Sequence, residues 1–122
     1  MLERQLGGLY SGALKSVRYD VVFDSAGSID IGSPVPLGAL VHETTIGVTT
    51  AFDGITESTL TVGDVGNLNR FCGNGEVNLA ETGIYTIDNH YRYGSVSQIL
   101  GTYVQDGATV GAASVVVLYS II

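Results

Sequence analysis

The chain has 122 residues, which is enough for one domain with a single two-layer core. Its hydrophobic content of 45% excludes intrinsic disorder, and its net charge of -7, with five scattered Lys and Arg residues, argues against a nucleic-acid partner. A charged fraction of only 14%, together with 17 glycines and many Thr, Val and Tyr residues, favours an all-β domain.

Cysteine usage and hydropathy indicate where the chain is made. Cys72 is the only cysteine, so no intrachain disulfide can form. Residues 1–20 lack the continuous apolar core of a signal peptide, and the apolar run at 108–122 is shorter than the roughly 20 residues of a membrane-spanning helix. We therefore expect synthesis in a reducing cytoplasm and no membrane partner.

Residues 1–16, MLERQLGGLYSGALKS, predict an N-terminal arm ahead of a β domain at 17–122. The glycines interrupt any helix, and two interpretations stay open. The segment is either a flexible terminus or an arm that orders against a neighbouring subunit. The second interpretation is based on its large apolar residues, namely Leu2, Leu6, Leu9, Tyr10 and Leu14.

The first half of the β domain contains three predicted strands. Val17–Asp24 alternates apolar and polar residues, Ile29 and Ile31 flank Asp30 in a short strand, and the two prolines of 32–36 predict an irregular or edge segment. Leu37–Asp64 is the longest pattern, with apolar residues at even positions such as Leu40 and Ile46. It predicts a long strand, a turn at Asp53-Gly54 and a second strand, paired as a hairpin.

The second half continues with shorter segments. Val65–Glu76 is rich in Gly and Asn and predicts a long loop. The last run, Ala112–Ile122, is apolar on both faces, which predicts a central strand or a strand in a subunit interface. The remaining predicted strands are Glu76–Leu79, Ile84–Asp88, Tyr91–Tyr93, and Val96–Gln105 with a bulge or close backbone approach at Gly101.

About eight strands separated by Gly, Asp and Asn turns predict an all-β fold, an antiparallel β-sandwich that is jelly-roll-like and carries an extended N-terminal arm. An immunoglobulin-like sandwich is the alternative. The sequence shows no internal repeat, which disfavours a propeller or a solenoid.

Chemistry-bearing residues are few. Cys72 with His42 or His90 lacks the signature of a thiol nucleophile, and the same residues lack zinc-site spacing. An oxygen-rich set could hold calcium but does not match an EF-hand, and an aromatic cluster could form a carbohydrate platform. We expect no catalytic residue, cofactor or metal ion. The two sets are Asp64, Asn67, Asn69, Asn74 and Glu76, and Tyr85, His90, Tyr91 and Tyr93.

Four segments occur in a characteristic succession, namely IGSPVPLGALV at 31–41, TTAFDG at 49–54, TLTVGD at 59–64 and AASVVVLY at 112–119. This succession resembles the small virion structural proteins of tailed bacteriophages, and the resemblance covers about residues 20–120. It implies a capsid decoration (cement) protein, or a head-fibre or tail component, that works as a homo-oligomer. It carries over no catalytic residue.

The resemblance and the residues together give these expectations. The partner is the major capsid protein, the oligomer is a trimer, and the location is the outer capsid surface of the virion. The arm contacts the capsid or a neighbouring subunit, and the last strand supplies the oligomer interface. A tail or fibre component, a carbohydrate-binding module and a hydrolase using Cys72 are the alternatives. The interface residues are Val115, Val117, Tyr119 and Ile121.

Overall fold

The computed structural model describes residues 14–121, and within them it contains eight β-strands and no helix. The all-β prediction and the expected number of strands are confirmed. The strands are β1 (Lys15–Val22), β2 (Ser28–Asp30), β3 (Ala39–Thr50), β4 (Thr59–Asp64), β5 (Asn67–Cys72), β6 (Gly83–Arg92), β7 (Leu100–Val104) and β8 (Ala112–Ile121).

The strands form two four-stranded antiparallel sheets, in the orders β1-β8-β3-β6 and β2-β7-β4-β5. The pairs β1·β8, β2·β7, β3·β6 and β4·β5 are nested, as if one long hairpin had been rolled into two layers. This is an antiparallel β-sandwich with a jelly-roll-like strand order, as the turn spacing predicted.

The core lies between the sheets and follows the period-two alternation of the strands. Val115 and Val117 of β8 face Ile46 and Thr44 of β3 in register, and all four are fully buried. The pattern breaks once in β3, where the register shifts between Val41 and Glu43. The predicted core position Leu40 is therefore only half-buried, while Val41 is fully buried instead.

The predicted hairpin of Leu37–Asp64 is wrong, although both of its strands exist. β3 pairs with β6 and β8, whereas β4 belongs to the other sheet and pairs with β5 and β7. The loop 51–58 is a crossover between layers. Asp53 serves the neighbouring loop rather than a turn of its own, since it accepts hydrogen bonds from the backbone of Thr109 and Val110 (2.6 and 3.0 Å).

The predicted long loop at Val65–Glu76 is also wrong, because β5 lies within it. The true hairpin is β4–β5, closed by Val65-Gly66. Asp64 stabilises this turn by accepting hydrogen bonds from the backbone N–H groups of Gly66 and Asn67 (3.0 Å each). The Gly/Asn content masked a strand whose last two residues, Phe71 and Cys72, are buried.

Smaller boundaries differ in the same way. Ile84–Asp88 and Tyr91–Tyr93 merge into the single strand β6, and Glu76–Leu79 is not a strand. The first strand begins at Lys15, inside the predicted arm. Gly101 makes the predicted close approach, since a Cβ there would lie 3.1 Å from Ile31 Cδ1. β8 occupies the predicted central position, between β1 and β3.

The connecting loops gather at two opposite ends of the sandwich. Backbone hydrogen bonds join the loops at one end, from Phe23 to Gly111, from Phe52 to Leu79 and from Ile55 to Asp106. We call this the acidic end. It comprises loops 23–27, 51–58, 73–82 and 105–111.

We call the opposite end the uncharged end. A bridge between Val35 and Ser97 and a bond from Gly38 to Tyr93 tie its loops together. Leu14 leads into β1 at this end, because Lys15 pairs with Tyr119 near the end of β8. The uncharged end comprises loops 31–38, 65–66 and 93–99.

Candidate functional site

Of the five residues predicted for the contacting arm, the structure describes one. Leu14 lies directly before β1 and its side chain is 55% exposed, so it is available for contact with a partner. The other four arm residues, Leu2, Leu6, Leu9 and Tyr10, lie outside the described residues. The contact role of the arm stays a prediction.

The residues predicted for the oligomer interface face the interior of the subunit. Val115 and Val117 are 0% exposed, Tyr119 is buried, and Ile121 packs against the core. Val115, Val117 and Tyr119 are thus covered within the subunit, whereas Ile121 is half-buried. Their role in an oligomer interface stays a prediction. The outward side chains of the same strand are half-buried and lie on the free face of the sheet. They are Ala112, Ser114, Val116 and Leu118.

A buried carboxylate organises the most structured cluster at the uncharged end. Asp64 ends β4 and receives hydrogen bonds from Arg70 Nε (2.7 Å), Arg70 Nη2 (3.2 Å) and the Tyr93 hydroxyl (2.7 Å). The two backbone N–H groups of the β4–β5 turn complete its shell. Burial by itself raises the pKa of Asp64, but the hydrogen bonds from Arg70 and Tyr93 outweigh it and the pKa is lowered.

Aromatic rings pack around the two side chains, Arg70 and Tyr93, that donate hydrogen bonds to this carboxylate. The Arg70 guanidinium carbon lies 4.1 Å from the centre of the Tyr91 ring, a cation–π contact. Tyr91 and Tyr93 meet edge to face at 5.0 Å, and Phe71 contacts both rings. Burial and the bond to Asp64 raise the pKa of Tyr93, so its hydroxyl stays a proton donor. The cluster therefore ties β4, β5 and β6 together.

A cleft of about 390 Å³ opens beside this cluster, between the β4–β5 turn and the loop after β6. Val65 and Val96 both line it, and both are exposed. Its walls combine one compensated ion pair with aliphatic and small polar groups. Such a lining fits a surface for contact better than a reaction centre, because neither charge is left over for a substrate.

The predicted carbohydrate platform is not assembled. Tyr93 is buried, and the face of Tyr91 is occupied by Arg70. Tyr85 is half-buried and donates its hydroxyl proton to the Asn78 carbonyl (3.0 Å), whereas His90 is exposed. The four side chains therefore do not present one free aromatic surface.

Cys72 lies in an environment that suppresses nucleophilicity. The residue is buried, and burial, with a smaller contribution from Glu76, raises its pKa to about 12. At neutral pH it is a thiol, whereas attack requires the thiolate. Its hydrogen donates weakly to the Gly73 carbonyl, at 3.8 Å.

Three of the five residues of the oxygen-rich set at 64–76 accept hydrogen bonds from within the chain. Asp64 serves Arg70 and Tyr93, Asn67 Oδ1 accepts from the Asn69 N–H (3.0 Å), and Glu76 accepts from the Gly73 N–H. Between residues 14 and 121, no group of three His, Cys, Asp or Glu residues could hold a metal ion. The same residues contain no helix long and apolar enough to cross a membrane.

Sequence reasoning considered Asp64 and Tyr93 separately and missed Arg70. The available signal was the short Asp-Val-Gly turn followed by an Arg six residues after Asp64, which only a hairpin brings back to it. Calling this stretch a loop removed that signal.

The fold has counterparts among solved capsid structures. No family model and no curated protein matches the sequence. A chain of the acid-stable capsid of Helicobacter pylori bacteriophage KHP30 superposes with a TM-score of 0.72 at 18% identity, covering 90% of this chain and 89% of that one. A chain of the cyanophage Pam1 capsid asymmetric unit gives 0.67 at 19% identity, covering 100% and 94%.

A third counterpart, from the capsid of Ralstonia phage GP4, gives a TM-score of 0.62 at 18% identity and covers 91% and 86%. At this identity the likeness establishes the fold. Because coverage is high on both sides, each matched chain is a small unit of about this chain's length. The predicted resemblance to phage virion structural proteins is confirmed at the level of the fold.

Proposed function

We propose that this chain is a structural protein of a tailed-phage virion, and specifically a head decoration (cement) protein. It binds the outer surface of the assembled capsid and strengthens it without catalysis. The observation that supports this most is the fold shared, over nearly the whole chain, with chains of three phage capsids.

The site geometry is consistent with that role. The polar cluster around Asp64 contains an internally compensated ion pair, and the one thiol of the sequence is buried and protonated. Several aliphatic side chains are exposed and are available for contact with a partner. The proposed partners are the major capsid protein and further copies of this chain, with a trimer as the expected oligomer.

Stabilisation by such a protein follows mass action. A protein that binds the assembled shell and not its separated subunits raises the shell's stability by about 2.7 kcal/mol per site at a free concentration 100-fold above Kd. Removing the protein is therefore expected to lower the temperature at which the capsid opens.

The test uses capsids of the encoding phage prepared without this protein, to which the purified full chain is added back. We expect saturable co-sedimentation and a higher capsid melting temperature, with bovine serum albumin at equal concentration as the control. Binding to isolated tails but not to heads would show a tail or fibre component. Capsids that bind the chain yet melt unchanged would contradict the cement role.

A further inference from the structure

The loops at the two ends of this molecule differ in charge. The four loops of the acidic end contain six carboxylates and no Lys, Arg or His, whereas the three loops of the uncharged end contain no charged residue. The acidic residues are Asp24, Asp53, Glu57, Glu76, Glu81 and Asp106.

Some of the acidic end is explained by loop structure. Asp53 accepts hydrogen bonds from Thr109 and Val110, and Asp106 accepts two from the backbone of Thr56 and Glu57 (2.6 Å each). These carboxylates clamp two loops to each other. The clamp does not explain why the end lacks any cation, nor why the opposite loops lack charge.

The uncharged end carries exposed aliphatic side chains where solvent contact is greatest. Val65 is 91% exposed in the β4–β5 turn, and Val96, which lines the same cleft, is 66% exposed. Leu14 and Leu37, which belong to the same end, are also more than half exposed. The charged residues that border this end on the strands nearly balance. Asp30 offsets one of the two cations Lys15 and Arg92, and Arg70 and Asp64 cancel each other as an ion pair.

Both ends expose aliphatic side chains, including Ile55 and Val110 at the acidic end, so the absence of charge is what distinguishes the uncharged end. Depletion of charged residues is typical of the centre of a protein interface. The rigid cluster around Asp64 holds one wall of the cleft, so Val65 is presented on a fixed turn rather than a loose one. Docking there requires little ordering of the chain, which lowers its entropic cost.

The point at which the N-terminal arm joins the domain favours the capsid shell as the partner that contacts the uncharged end. Residues 1–13 join the sandwich at Leu14, at the uncharged end, and thirteen residues span at most about 45 Å. The arm therefore reaches the shell by the shortest path when this end of the domain faces the shell. The acidic end then faces away, where its charge keeps the particle soluble.

We propose that the uncharged end, centred on Val65 and Val96, is the surface that seats on the capsid shell, with the acidic end pointing into solvent. The inference deepens the proposed function and depends on it. The occupant is the outer surface of the shell, an uncharged and largely apolar protein patch, rather than a second copy of this chain.

The test compares Val65→Asp and Val96→Asp with Ile55→Asp. Ile55 is 84% exposed at the acidic end, between the values for Val65 and Val96, so the control places the same charge on a comparably accessible aliphatic position. All three variants change exposed side chains, and thermal melting checks that each is folded. Affinity for capsids lacking this protein is measured by co-sedimentation of the full chain.

Burying an unpaired carboxylate in the contact is expected to weaken binding of Val65→Asp and Val96→Asp at least about tenfold, with Ile55→Asp binding as wild type. Normal binding by Val65→Asp and Val96→Asp, or loss of binding confined to Ile55→Asp, overturns the inference and leaves the cement role intact. Loss of self-association by Val65→Asp with unchanged capsid binding identifies a second copy as the occupant and also overturns it. A wild-type chain that does not bind capsids at all removes the proposed function itself.

Discussion

Asp64 is the residue whose environment is most specific in this molecule. A carboxylate that is 5% exposed receives five hydrogen bonds, two of them from Arg70, whose side chain is itself only a quarter exposed. Such a group stabilises a fold when every partner is present and costs free energy when one is removed. Its role is to hold the β4–β5 turn against the aromatic rings of β6.

Replacing Asp64 by Asn keeps the size of the side chain and removes its charge. We expect Asp64→Asn to lower the free energy of unfolding by about 1.5–3 kcal/mol at pH 7, because the bonds from Arg70 and Tyr93 lose their charged acceptor. The pKa of Asp64 is lowered in the fold, so its contribution is present above the ordinary value of 3.8 and is lost as the pH falls below it. The gap between wild type and variant therefore shrinks below pH 4.

Urea denaturation at pH 7 and pH 3 measures both effects. Asp30→Asn, an exposed carboxylate at the end of β2, is the matched control and is expected to change little. Equal stability of wild type and Asp64→Asn at pH 7 would show that the cluster does not support the fold.

At the scale of elements, β8 is the strand on which the sandwich is built. It lies between β1 and β3 along nearly its whole length, and its odd-numbered residues fill the core. Its apolar residues on the other face, Val116 and Leu118, are half-buried on the free surface of the sheet. If this strand takes part in an oligomer, these outward side chains make the contact.

Val117→Ala separates a core role from an interface role. We expect it to cost about 1.5–3 kcal/mol, because it leaves a cavity among fully buried neighbours. That cost does not depend on protein concentration, since the cavity is inside one subunit. Thermal melting over a hundredfold range of concentration provides the measurement, with Val116→Ala as the outward control. A loss for Val117→Ala that disappears at high concentration would mean that this side chain meets another subunit.

The elements also show how far sequence reasoning reaches. Alternation located β1, β2, β3, β4 and β7, because an exposed face and a buried face leave a period of two, and a run that is apolar on both faces located β8. It failed at β5, where Asn67 and Asn69 suggested a loop although the backbone is paired. It also misassigned the partner of β3, because partner choice between layers depends on contacts far apart in sequence. The register shift between Val41 and Glu43 also broke the alternation, so Leu40 does not point to the core as the even-numbered pattern predicted.

At the scale of the whole molecule, the sequence revealed the net negative charge but not that the loop carboxylates gather at one end of the fold. The carboxylates of the acidic end come from four separate loops, and only the nested topology brings those loops together. The same topology gathers three uncharged loops and the start of β1 at the other end. An asymmetric domain of this kind has a natural orientation on a surface, which a composition count cannot express.

A cryo-EM map of the virion tests the central claim most directly. We predict density for this sandwich on the outer surface of the head, with the turn at Val65 and the cleft beside Val96 against the shell and the six-carboxylate end outward. A head without this density, with the chain found only in the tail or absent from the particle, would contradict the account.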